Sequence, residues 1–168
     1  ENVIVVSGRE ATAAGIQKAK ETLVHKMAGT RDARVIVFFG GHGHENHLVG
    51  QDGELIPIDE FFGKLRSART RQSFERALQP QIIVVLDCCR DPVPAGSPGA
   101  ADEPFRPSFP RRTDGSLYSI TATDPLTSAS DGGLTDAFLD ALENPGLNVV
   151  QLFERMCPLR AQRPHHTI

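Results

Sequence analysis

Two uninterrupted apolar runs, Val35 to Phe39 and Ile82 to Leu86, constrain this chain more than any other feature. The first ends on Gly40-Gly41 and the second on Asp87. A strand with one wet face alternates apolar and polar residues, so an unbroken run predicts a strand covered on both faces, as in a parallel sheet. The first run belongs to a predicted strand over Ala33 to Phe39. A β-branched run, Asn2 to Val6, stops at Ser7-Gly8 and predicts another buried strand. Between the first two strands Thr12 is placed as an N-cap, with Ile16, Ala19, Leu23 and Met27 at helical spacing up to Ala28-Gly29. Residues 40–55 are turn-rich, and Ile58 to Leu65 predicts a short helix. Strand, helix, strand, helix, strand is the α/β alternation.

The second half has a different texture. Prolines crowd from Pro92 to Pro110 beside Gly, Ser and Ala, which predicts an exposed loop over 92–115. Order resumes with a strand at Leu117 to Ala122. A helix follows from about Leu134 to Leu142, its apolar face drawn through Leu134, Phe138, Leu139 and Leu142. A last helix begins near Asn148 and runs towards Cys157. At 168 residues, 39% of them hydrophobic, the chain suits one domain with a substantial core.

Polar clusters follow two of the buried runs: Gly41-His42-Gly43-His44-Glu45 and Asp87-Cys88-Cys89-Arg90. Ligands of open α/β sheets bind beyond the carboxyl ends of the strands. If the two strands are parallel neighbours, His42 and Cys89 meet there although 47 residues separate them. An imidazole beside a thiol favours the thiolate nucleophile and can then protonate a leaving amine. The backbone amides of Gly43 and Cys89 are the candidate oxyanion hole. Singly, a histidine after a strand or a cysteine at its end is ordinarily structural; the paired placement carries the argument.

Several classes are disfavoured. A net charge of −3, with both signs intermixed, offers no positive field for nucleic acid or anionic membrane. No apolar run is long enough to span a bilayer. The three cysteines, Cys88, Cys89 and Cys157, make a poor disulfide framework and point to a reducing, cytoplasmic compartment. His42, His44 and His47 share the His-x-His-x-x-His spacing of metallo-β-lactamase-type zinc hydrolases, but that motif's aspartate is Asn46 here.

VIVFFGGHGHE (Val35 to Glu45) resembles the strand and SGHG segment of metacaspases and paracaspases. IIVVLDCCRDP (Ile82 to Pro92) resembles their strand ending in Asp-x-Cys. SITATDPLTSASDGGLTDAFLDAL (Ser119 to Leu142) is similar to their small-subunit segment, with its Gly-x-x-Thr helix. VSGREATAAGI (Val6 to Ile16) and Gln162-Arg163-Pro164 match further segments in the family's order. The resemblance implies a caspase-like three-layer α/β/α sandwich with a mostly parallel sheet. Residues 1–91 would be the large-subunit part, 92–115 the linker and 116–168 the small-subunit part. It also implies a cysteine endopeptidase with His42 and Cys89 as its catalytic pair, acting on protein or peptide substrates.

Asp87 stands where these relatives hold the acid facing a basic substrate side chain, which implies cleavage after Arg or Lys. Asp124 and Asp131 are candidates for a second acid of that pocket, Asp131 equally for a helix N-cap. Arg106, Arg111 and Arg112 in the linker are then candidate self-processing sites. No cofactor is required for the chemistry; calcium, an activator of many metacaspases, has only Asp91 and Asp102 near the motif. Gly41 replaces the family's serine. The strand and helix that open relatives are not recognised in this sequence, so an absent segment or another chain is expected to fill that place in the sheet. The alternative function is a catalytically silent caspase-like scaffold, and relatives occur both as monomers and as homodimers.

Overall fold

A computed structural model describes residues 2–28, 30, 34–67, 81–89, 91, 117–122, 133–156 and 165–167. In chain order the elements are α1 (Ala13–Ala28), β1 (Arg34–Gly40), β2 (Gly43–His44), β3 (His47–Val49), β4 (Leu55–Pro57), α2 (Ile58–Ser67), β5 (Gln81–Asp87), β6 (Leu117–Thr121), α3 (Gly133–Leu142), α4 (Val149–Met156) and β7 (His165–Thr167). They divide between two compact units. One takes the described residues within 1–33 and 46–80, the other those within 34–45, 81–92 and 111–168.

In the first unit α1 begins where Thr12 predicts. The Thr12 hydroxyl accepts the Gly15 N–H at 3.1 Å, and both carboxylate oxygens of Asp52 accept the Ala13 N–H at 3.1 and 3.2 Å. Two of the donors that a helix start leaves unsatisfied are thereby paired. Among the described residues of this unit the buried apolar side chains are Met27, Leu48, Ile56, Ile58, Phe61, Phe62 and Leu65. The turn-rich stretch contains more order than predicted: β3 and β4 form an antiparallel hairpin with Leu48 opposite Ile56. Asn2 to Val6, expected as a buried strand, lies in no strand, and Val3 and Val5 are 66% and 73% exposed. β-branched residues express their strand preference against a neighbouring strand, and this run has none among the described residues.

The second unit is built on a sheet of order β1-β5-β6-β7. β1, β5 and β6 are parallel, and β7 returns antiparallel against β6. β5 is buried on both faces as its composition predicts: Ile82, Val84, Val85 and Leu86 are each at most 1% exposed. On one face Val85, Ile120 and Ala122 pack with Leu134, Phe138 and Ala141 of α3 and Leu152, Phe153 and Met156 of α4. Fully burying one of the larger side chains contributes roughly 1.5–3 kcal/mol. α4 starts with a reciprocal cap. The Gln151 N–H donates to Asn148 Oδ1 and the Asn148 N–H to Gln151 Oε1, each at 3.0 Å.

Two expectations need correction here. The buried stripe of α3 is Leu134, Phe138 and Ala141, whereas Leu139 and Leu142 are exposed. Positions four and seven residues on from Leu134 stay on one helical face, and Leu139 is turned about 100° from Phe138. β1, read as covered on both faces, leaves Ile36 and Phe38 exposed. It pairs with β5 alone among the described residues, so one of its edges lacks the neighbour that β5 has.

Candidate active site

The parallel register of β1 and β5 runs from Arg34↔Gln81 to Gly40↔Asp87. It continues past the strand ends: the Gly41 N–H donates to the Asp87 carbonyl at 3.2 Å. Further on, His44 and Asp91 form a parallel bridge, and the Glu45 N–H donates to the Asp91 carbonyl at 2.9 Å. Gly40 and Asp87 are 47 residues apart in sequence, and so are His44 and Asp91. His42 and Cys89 have the same separation and lie between those two fixed points. The backbone therefore carries the two residues side by side out of adjacent strands.

Gly43 explains how closely the two segments approach. It is buried, and a Cβ there would stand 2.7 Å from Cys88 Sγ and 2.7 Å from the Cys89 carbonyl oxygen. Only a residue without a side chain fits such an approach. Cys88 faces inward, 3% exposed, as expected of the middle position in Asp-x-Cys. Cys89 is half-buried and His42 is exposed, so solvent reaches this end of the sheet. Neither Cys88 nor Cys89 is joined in a disulfide among the described residues.

Asp87, the last residue of β5, is buried at 8% exposure. Its Oδ2 accepts the backbone N–H of Thr135 at 2.9 Å and also the Thr135 hydroxyl. Thr135 is the third residue of α3, where free N–H groups and the helix dipole favour an anion. The carboxylate thus joins β5, the strand that leads to Cys89, to α3. Sequence reasoning gave Thr135 no role. The Gly-x-x-Thr pattern at a predicted helix start was the available signal, but it names no partner.

Asp124, Asp131, Arg106, Arg111, Arg112 and Asp102 lie outside the described residues. Among the described residues no three His, Cys, Asp or Glu side chains come together to hold a metal ion. His42, His44 and His47 are among those described residues, so the zinc reading gains no donor set from them. Nor is any described helix long and apolar enough to cross a membrane.

No curated protein matches the sequence. One family does: the pattern described as the caspase domain matches residues 2–159, almost the whole chain. Its α/β sheet and the pairing of its two motif-bearing strands accord with that match. The chain belongs to the caspase-domain family of peptidases.

Proposed function

We propose that this caspase domain is a cysteine endopeptidase that cuts peptide bonds after Arg or Lys, with Cys89 as nucleophile and His42 as its acid–base partner. The observation that carries this reading is the shared register, fixed at Gly40↔Asp87 and again at His44↔Asp91, with His42 and Cys89 between. In the reaction the Cys89 thiolate adds to the scissile carbonyl carbon. The charge that develops on oxygen is received by the amides of Gly43 and Cys89. His42, carrying the thiol's proton, gives it to the leaving amine as the C–N bond breaks. Water, deprotonated by the same imidazole, then cleaves the thioester and restores the thiol.

Asp87 supplies the preference for a basic side chain. A largely buried carboxylate gains most from a cation that replaces lost water. Such an enzyme would process itself after Arg106, Arg111 or Arg112, and Asp124 or Asp131 would supply a second acid. Calcium enters this reading as an activator to be tested and takes part in no step.

The test is hydrolysis of fluorogenic peptides ending in Arg, Lys or Asp, with and without calcium, with Cys89→Ala as control. Cleavage after Arg or Lys that disappears in the control supports nucleophile and pocket together. Cleavage after Asp alone removes the role of Asp87. No cleavage by folded protein favours the scaffold. Intact mass of active and Cys89→Ala protein tests self-processing, and identical masses count against it.

A further inference from the structure

Among the described residues, the two hydrogen bonds to the Asp87 carboxylate are unevenly distributed. Both fall on Oδ2, and both come from Thr135, one through its backbone N–H and one through its hydroxyl. A carboxylate oxygen offers about two acceptor positions. Oδ2 is therefore saturated by one residue, and among the described residues no donor is seen on Oδ1. A guanidinium pairs bidentately only when each carboxylate oxygen receives one of its N–H groups. With Oδ2 occupied, that fork has nowhere to place its second prong.

We infer that Thr135 is a positioning residue for substrate specificity: it fixes the Asp87 carboxylate through Oδ2, so a basic side chain is received by Oδ1 alone. This rests on the role proposed above for Asp87. A single oxygen serves the compact ammonium of lysine as well as one N–H of arginine. The site then separates basic from neutral residues but discriminates weakly between the two cations. The constraint is rigid, because Thr135 belongs to α3, whose Leu134 and Phe138 are anchored in the core against Val85.

The experiment compares kcat/KM for matched peptides that differ only in Arg or Lys before the scissile bond. It uses the wild-type protein, Thr135→Val and Thr135→Ser, with melting temperature recorded for each. Valine keeps the backbone N–H and the side-chain shape but frees one acceptor position on Oδ2. The wild type is expected to cleave both peptides within about threefold of each other. Thr135→Val should raise the Arg:Lys ratio about tenfold, the scale of one added charge-assisted hydrogen bond, and Thr135→Ser should restore it. If valine lowers melting temperature and both rates in equal proportion, Thr135 is only structural and the inference is overturned. A wild-type Arg:Lys ratio above about thirtyfold overturns it without any variant, even if valine prevents folding. Hydrolysis of neither peptide by the wild type overturns the endopeptidase reading and this inference together.

Discussion

At the scale of single residues, Gly43 meets the strictest demand near Cys89. Its absent side chain is replaced by Cys88 Sγ and the Cys89 carbonyl, each 2.7 Å from where a Cβ would lie. Gly43→Ala must push the histidine segment away from the cysteine segment. Overpacking of this kind costs about 1–3 kcal/mol, which lowers the melting temperature by roughly 2–10 °C for a chain of this size. Peptidase activity should fall by at least about tenfold, since small displacements of reacting groups are amplified in rate. Gly41→Ser is the contrasting case. Among the described residues a Cβ there meets the Phe39 ring alone, at 3.4 Å, an ordinary contact. The melting temperature should stay within about 1 °C, as for substitutions that disturb no packing. Calorimetry and peptide hydrolysis on the two variants check both outcomes. That the segments of His42 and Cys89 run side by side could be read from sequence because each follows a recognisable strand. Thr135 could not, because a hydroxyl at a helix start has many local uses and its partner is 48 residues away.

At the scale of elements, α1 and α2 bring together an unusual group. Lys20 of α1 is only 2% exposed, lies over the Phe61 ring 5.3 Å from its centroid, and donates to Gln17 Oε1. Burial holds its pKa below the ordinary 10.5, and the Lys64 charge adds to that, against the opposing pull of Glu60 and Glu21. Between the lowered folded value and 10.5 the unfolded chain binds more protons than the folded one, so stability rises with pH across that window. Lys20→Met removes the buried charge and should raise the melting temperature near neutral pH by about 2–4 °C. That advantage should shrink as pH climbs towards 10.5, in melts recorded across the alkaline range. In α4, Asn148→Ala breaks the reciprocal cap with Gln151 and should cost about 1 kcal/mol in chemical denaturation. The helices could be read from sequence because caps and a 3.6-residue period are local properties. The β3–β4 hairpin could not, since strands of three residues are too short to display a period.

At the scale of the whole molecule, β1 and β5 have almost the same apolar composition but different surroundings. β5 lies between two strands and is buried; β1 pairs with β5 alone among the described residues and exposes Ile36 and Phe38 at 49% and 41%. Position within a sheet depends on which distant segments pair, so two similar runs give no local sign of which is terminal. The register maps Ile36 to Ile83 and Phe38 to Val85, which places both on the face that carries α3. Phe38 is steadied there by stacking on Phe138, with ring centroids 5.7 Å apart. Among the described residues Ile36 has no ring partner, and the edge of β1 away from β5 meets no strand. An apolar, unpaired edge is a template for association with another chain. Sedimentation velocity should show concentration-dependent self-association, and Ile36→Lys should weaken the apparent association constant by about tenfold or more, the scale of one buried isoleucine. A lysine at this site repels an incoming edge while leaving the β1–β5 hydrogen bonds in place. Sedimentation as a single species at all concentrations, unchanged by the lysine, would mean that the β1 edge is covered in solution.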